Sequence, residues 1–251
     1  MKSIAPPLPA RADRKTLRRD LRQRRRALSA AAQRVAARAL TRQLILHFGH
    51  SRARHIGLYL PNDGEIDPRA FIEEARRRNL SVYLPVLHPV LGNQLWFYRF
   101  DANTELRPNR FGIPEPTDRR APRRPPWALD AVLMPLVGFD REGGRLGMGG
   151  GFYDRTFAFK RLAPQRPPAL IGLAHEVQQV ERLPIASWDV PMDGVITPAR
   201  HLDCSPQGII ERTQPRAVFF GRYRLADRRH GRQRTSGWLL SVFAFLRRFI
   251  L

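Results

Sequence analysis

The chain has 251 residues, 43% of them hydrophobic, which suits one sizeable globular core and excludes a disordered or fibrous class. Its single cysteine, Cys204, excludes an internal disulfide framework and a cysteine-based metal site, and no apolar run reaches the length of a membrane span. The formal charge of +22 is concentrated at the ends: residues 1–30 and 204–251 each carry ten Lys or Arg against two Asp or Glu, leaving the middle only mildly basic.

The opening Met1–Pro9 lacks the apolar core of a secretory signal, so residues 1–12 read as a flexible lead and a cytoplasmic address is expected. From Asp13 to Ser29, Leu17, Leu21 and Leu28 recur at helical spacing among arginines. Ser29 to Phe48 repeats the pattern with Val35, Leu40, Leu44 and Ile45, so two amphipathic helices are predicted to open the fold. Arg54–Leu60 predicts a strand ended by Pro61, Asn62–Asp67 a turn, Pro68–Arg78 a helix, and Leu80–Pro85 the next strand. A strand–helix–strand unit of this kind pairs its strands in parallel through a right-handed crossover by default. Gln94–Phe100 predicts a further strand, and 103–127, rich in Pro and Arg, reads as loop or excursion.

Ala131–Val137 and Ala169–Ala174 read as buried strands, with a short helix predicted over Phe152–Leu162 between them. The alternation predicts an α/β domain over residues 13–203, a three-layer sandwich with a mainly parallel sheet. Such folds place ligands at strand carboxyl ends, so 60–65, 138–154 and 175–189 are the candidate site loops. After Thr197 the pattern decays into a basic tail, 204–251. Its last fifteen residues, Gly237–Leu251, are apolar with flanking arginines; they suit a surface-lying or docked helix, or an unselected tail, and are too short to span a bilayer.

The chemistry concentrates in Arg145–Asp154, where Gly147, Gly149, Gly150 and Gly151 fall within five positions between the strand at 131–137 and the helix at 152. Strand, glycine turn, helix is an arrangement that aims free backbone N–H groups and a helix dipole at an anion. The spacing matches neither the dinucleotide fingerprint nor the P-loop, so a different phosphate loop is required. Arg145 is suited to fork onto phosphate oxygens, and Asp154 to hold a divalent cation that bridges them. A plain chain reversal is the alternative, and four glycines carry more conformational entropy than a reversal needs.

Phe139–Asp140 followed by Arg145-Leu-Gly-Met-Gly-Gly-Gly-Phe-Tyr-Asp154-Arg155 resembles the signature of the 5-formyltetrahydrofolate cyclo-ligase family. Arg14–Arg18, Leu60 with Glu65–Ile66, Phe111–Pro116, Ile171–Gln178, Leu183–Pro184 and Trp188–Asp193 resemble other family segments in order and spacing, so the resemblance covers 13 to about 200. It implies an ATP-dependent closure of 5-formyltetrahydrofolate to 5,10-methenyltetrahydrofolate with release of ADP and phosphate. The ATP γ-phosphoryl group activates the formyl oxygen, and N10 then attacks the carbon.

The resemblance also implies roles. Arg145 and Tyr153 act at the reacting centre. ATP is bound by Arg14, Lys15, Arg18 and the run Arg145, Leu146, Gly147, Met148, Gly149, Gly150, Gly151, Phe152 and Tyr153. Folate is bound by Arg18, Leu60, Glu65, Met148, Gly149, Gly150, Gly151 and Phe152, and Mg²⁺ by Asp154 and Asp189. Counted back from Leu17–Arg18, the family's amino-terminal lysine falls on Arg14, with Lys15 one place later, and Met148 stands where the family often has a polar or aromatic side chain. The tail after 203 has no family counterpart.

Other readings of the same residues remain. Glu65 also suits a turn or cap carboxylate, Asp189 a turn or cap, and Arg14, Lys15 and Arg18 a solvated helix face. A nucleic-acid binder using the basic ends would interleave aromatics with its cations, and residues 11–26 contain none, so no specific nucleic acid is expected. The expected partners are ATP and the folate, with the chain acting as a monomer.

Overall fold

The structure is a computed structural model that describes residues 13–49, 51–118, 120–164 and 167–204, and the backbone of 210–212. The expectations for residues 1–12 and for the tail 204–251, apart from Cys204 and the backbone of 210–212, fall outside the described residues. Two long helices open the fold, α1 (Arg14–Arg26) and α2 (Ala30–Gly49); α3 (Arg69–Arg77) and the single-turn α4 (Phe152–Thr156) follow. Among the described residues no helix is long and apolar enough to cross a membrane.

The strands are β1 (His55–Gly57), β2 (Ser81–Leu87), β3 (Leu95–Phe100), β4 (Leu106–Pro108), β5 (Pro114–Pro116) and β6 (Arg123–Arg124). After them come β7 (Ala131–Pro135), β8 (Gly138–Phe139), β9 (Arg145–Leu146), β10 (Ala169–Leu173), β11 (Gly194–Ile196), β12 (His201–Asp203) and β13 (Ile210–Arg212). Nine of them form one sheet in the order β13-β12-β11-β10-β7-β1-β2-β3-β6. The central run from β11 to β2 is parallel, and the flanking strands add antiparallel edges.

Burial explains the layers. Along β7, Ala131 and Leu133 face a core with Leu40, Leu44 and Phe48 of α2 and Phe71, Ile72 and Ala75 of α3. Val132 and Met134, the alternate residues, face a second core with Phe157, Leu170 and Phe97. A strand covered on both faces reads as an unbroken apolar run, which is why 131–137 stands out in the sequence. The expected three-layer α/β architecture is therefore present. α1 does not cover the sheet; Leu17 and Leu21 pack on Val137, Leu146 and Leu183 at one end of it. It begins at Asp13, whose carboxylate accepts from the N–H groups of Lys15 and Thr16 at 2.5 and 3.4 Å.

Four local expectations shift. In α2 the buried stripe is Leu40, Leu44 and Phe48 with Ala36 beside it, which turns Val35 outward at 66% exposure. The stretch 103–127, expected as loop or excursion, carries short strands, since β4 pairs with β5 and β6 with β3. The helix at 152 ends at Thr156, whose hydroxyl accepts the N–H of Leu95 at 3.0 Å, and a 3₁₀ turn over Ala158–Arg161 continues the chain. The strands β11 and β12 were not anticipated, because three-residue strands carry too little alternation to register.

Candidate active site

Because β1, β7 and β10 run parallel, the segments after them emerge at one edge of the sheet. That edge receives 58–65, 136–154 and 174–189, which contain the expected site loops 60–65, 138–154 and 175–189, and α1 lies across them. β8 and β9 form a small hairpin there, closed by buried Asp140. Its Oδ1 accepts from the N–H groups of Glu142 and Gly144 at 3.0 and 2.8 Å, and its Oδ2 from that of Leu183 at 3.0 Å.

The glycine loop leaves this hairpin and is fastened by its carbonyls. Arg18 Nε donates to the carbonyl of Gly147 at 2.8 Å; Asn93 Nδ2 and Arg155 Nη1 donate to that of Gly150 at 2.9 and 2.7 Å. Gly151 turns the chain into α4 with φ +66°, a left-handed angle that admits a side chain only with strain. None of the backbone N–H groups of residues 147–151 donates a hydrogen bond among the described residues. The result is a loop with anchored acceptors and unused donors, the polarity an anion requires. With α4 only one turn long, those loop donors and not a long helix dipole provide it.

Beside the loop, charges alternate. Buried Arg145 donates through Nη1 to the carbonyl of Val190 at 2.6 Å and pairs through Nη2 with Asp154 Oδ1. Asp154 Oδ1 also accepts the N–H of Val190 at 3.1 Å. The preceding residue, Asp189, takes both terminal nitrogens of Arg14 at 2.7 and 3.2 Å, and the N–H of Ala186 at 2.9 Å. Burial lowers the Arg145 guanidinium from its ordinary value while Asp154 and Asp189 oppose that shift. Burial pushes Asp189 upward, but the Arg14 hydrogen bond and the Ala186 N–H hold it below the ordinary carboxylate value. Asp189 thus has the turn role and a place in the charged row together.

No trio of His, Cys, Asp or Glu among the described residues is placed to hold a metal ion by itself. Asp154 and Asp189, brought together by the Val190 contacts, offer two hard carboxylates beside the loop. Two carboxylates joined by substrate phosphate and water would make a donor set suited to Mg²⁺. The residues present therefore fit the ion.

α1 supplies cations beside the glycine loop. Arg14 and Arg18 lie on the helix face turned to the loops, whereas the Lys15 side chain points to solvent. Of the two amino-terminal cations left open by the sequence, Arg14 is the one joined to the site. Arg18 is lowered by burial and by Arg14, consistent with cations converging on one region.

Glu65 sits at the other side. Its Oε2 accepts the N–H of Asn62 at 3.1 Å, and its Oε1 lies 3.9 Å from Arg25 Nη2. Burial raises its carboxyl to about 7 against the opposing pull of Arg25. Burial, with Glu65 next, also raises the hydroxyls of Tyr153 and Tyr59, so both stay protonated at neutral pH. Leu60 is partly buried against the α2–α3 core. Phe152 packs on the second core with its ring 5.7 Å from that of Phe111. Met148 is exposed, and the Leu146 side chain is buried between sheet end and α1, which leaves only its backbone to a ligand.

Sequence reasoning missed Arg25 and Asp63. Arg25 is wholly buried, and its signal was its place in the stripe Leu17, Leu21, Arg25 of α1. A cation in line with buried leucines at helical spacing marks a buried partner.

The model of the 5-formyltetrahydrofolate cyclo-ligase family matches residues 10–198. The 5-formyltetrahydrofolate cyclo-ligase of Haemophilus influenzae is 40% identical over 183 residues, covering 73% of this chain and 96% of the relative. That of Escherichia coli K12 is 39% identical over 180 residues, covering 72% and 97%. The solved 5,10-methenyltetrahydrofolate synthetase of Aquifex aeolicus superposes with a TM-score of 0.64 at 29% identity, covering 76% of this chain and 92% of that one. The fold, the glycine loop with its charged row and this similarity across the α/β domain agree: the chain belongs to the 5-formyltetrahydrofolate cyclo-ligase family of enzymes.

Proposed function

We propose that the enzyme closes 5-formyltetrahydrofolate to 5,10-methenyltetrahydrofolate in an ATP- and Mg²⁺-dependent reaction that releases ADP and phosphate. The observation that carries this reading is the juxtaposition of a loop whose five N–H groups donate to nothing among the described residues and the row Arg14, Asp189, Asp154, Arg145. Such a row suits a polyphosphate with a divalent cation, and Glu65 at the other side of the site suits a ring that presents hydrogen-bond donors.

An amide oxygen leaves poorly, so the chemistry must convert it into a better leaving group. The formyl oxygen attacks the γ-phosphorus, and the bond to the ADP oxygen breaks. N10 then adds to the formyl carbon, loses its proton, and the carbon–oxygen bond breaks with departure of phosphate. Each step moves charge without a covalent enzyme intermediate, so the protein acts by positioning and charge neutralisation. The N–H groups of Gly147 to Gly151 hold phosphate oxygens, with Arg14 and Arg18 facing the same anion. Arg145, held in place by Val190 and Asp154, compensates charge as the phosphoryl group moves. Asp154 and Asp189 would hold Mg²⁺, which would supply charge neutralisation at the phosphate oxygens. Glu65 accepts from the pterin edge, Tyr153 keeps its proton as a donor near the folate, and Leu60, Met148 and Phe152 supply apolar contacts.

Mixing the protein with 5-formyltetrahydrofolate, ATP and Mg²⁺ while following methenyl absorbance tests the reading. A rise that requires both ATP and Mg²⁺ is expected; folded protein that binds ATP and gives no rise would sink it.

A further inference from the structure

Arg25 is charged, fully buried and seven positions beyond Arg18 on α1. Its guanidinium bonds three acceptors in two segments: Nε to the Asp63 carbonyl at 2.8 Å, Nη2 to Asp63 Oδ2 at 2.8 Å, and Nη1 to the Leu136 carbonyl at 2.9 Å. Leu136 follows β7 on the path to the glycine loop, and its carbonyl also accepts from Gln178 Nε2 at 2.5 Å. Asp63 and Gly64 open the turn that carries Glu65, with φ +53° and +75°. Two successive left-handed residues, one not glycine, persist only where the surroundings hold them. Here Arg22 Nε at 2.8 Å and Arg26 join Arg25 on the Asp63 carboxylate. A Cβ on Gly64 would lie 3.5 Å from the Arg25 carbonyl oxygen, so the turn rests directly on the end of α1.

One guanidinium therefore ties together the helix bearing Arg14 and Arg18, the root of the glycine loop and the turn bearing Glu65. We propose that Arg25 is a positioning residue that fixes the Glu65 carboxyl group relative to the phosphate side of the site and thereby sets affinity for folate. This rests on the reading that Glu65 binds folate. A planar fork satisfies three acceptors at diverging angles; an ammonium on a flexible stem keeps the charge without that geometry.

The groups facing Glu65 are Arg25 from α1, Asp63 and the Asn62 N–H from its own turn, Tyr59 from the segment after β1, and Tyr153 from α4. Behind them Asp67 faces Tyr59, and His175 from the segment after β10 faces Arg25. Arg25 is the only cation in the set that directly favours ionised Glu65. Removing it therefore raises the pH at which Glu65 ionises. With a starting midpoint of about 7, a rise of about one unit drops the ionised fraction at pH 7 from one half to about one tenth, so folate binds about fivefold more weakly.

The test compares Arg25→Met, Arg25→Lys and Glu65→Gln with the unmodified enzyme. KM for folate and ATP is measured across pH, unfolding temperature is recorded, and the Glu65 carboxyl is titrated by carbon-13 NMR, assigned by its loss in Glu65→Gln. For Arg25→Met the expectation is a midpoint raised by about one unit and a folate KM at pH 7 raised about fivefold, with ATP KM within about twofold. Arg25→Lys should keep the midpoint near its original place while folate KM still rises. An unmoved midpoint, or equal increases in both KM values, overturns the proposal. If Arg25→Met does not fold, Arg25→Lys decides: a selective rise in folate KM supports the proposal, and unchanged folate KM overturns it. Glu65→Gln with unaltered folate KM would refute the folate role of Glu65, and the affinity clause with it. An altered Glu65→Gln beside unaffected Arg25 variants would refute only the positioning role.

Discussion

Substituting alanine at two places in the glycine loop separates a ligand cradle from a plain turn. A Cβ on Gly151 would adopt φ +66° and lie 2.6 Å from Arg155 Nη1, disturbing that group's hydrogen bond to the Gly150 carbonyl. The left-handed angle costs about 1–2 kcal/mol, which in a domain of this size lowers the unfolding temperature by about 2–8 °C. Gly147 is different: its φ is outside the left-handed region, and a Cβ there meets nothing within 4 Å. Gly147→Ala should leave stability unchanged or raise it by up to about 1 kcal/mol, by restricting the unfolded chain. With phosphates on the loop, the same methyl group crowds the ligand. Crowding of a packed contact costs about 1–3 kcal/mol, a loss of roughly 5- to 150-fold in ATP affinity. Calorimetric unfolding beside ATP titration reads both quantities. Gly147→Ala with unaltered ATP affinity would refute the cradle, and a large drop in its unfolding temperature would refute the open face.

Glu65→Gln should change stability in a pH-dependent way. The folded-state midpoint of about 7 lies above the ordinary 4.5, so the stability contributed by protonated Glu65 is full below pH 4.5 and lost as pH rises through 7. The variant should therefore match the original near pH 4 and gain about 3 kcal/mol at pH 8; an equal effect at both would contradict this. Arg14→Met should raise ATP KM about tenfold or more, and Lys15→Met should leave it within about twofold, because only Arg14 pairs with Asp189. Steady-state kinetics on both variants checks it. Asp154→Asn keeps an oxygen for the Val190 N–H but leaves buried Arg145 without its paired carboxylate, so a stability loss of about 3 kcal/mol is expected by chemical denaturation. Its activity should also be lost and not restored by added Mg²⁺; full activity at ordinary Mg²⁺ would contradict the metal role.

Parts of this were legible because local pattern and tertiary environment agree. The strand over 131–135 is apolar throughout because cores cover both its faces, and Leu17 and Leu21 at helical spacing reflect a helix packed along one side. The glycine loop stood out because few other uses require that density of glycine. What was not legible depends on partners far away in sequence. Arg14 and Asp189 are 175 positions apart, and nothing local distinguishes Arg14 from Lys15 except which side of the helix meets the loops. Arg25 looked like one arginine among many in α1, since its acceptors come from Asp63 and Leu136. The early end of α4 follows from the contact of Thr156 with Leu95, which overrides the helical spacing of the following residues.

The most direct test of phosphoryl activation uses 5-formyltetrahydrofolate carrying oxygen-18 in the formyl group, turned over with ATP and Mg²⁺, with mass analysis of the released phosphate. Phosphorylation of the formyl oxygen predicts one labelled oxygen in each phosphate for every methenyl product formed. Unlabelled phosphate beside normal product formation would mean that ATP hydrolysis and ring closure are separate events, and would contradict the assignment of the glycine loop and Arg145 to transfer onto the formyl oxygen.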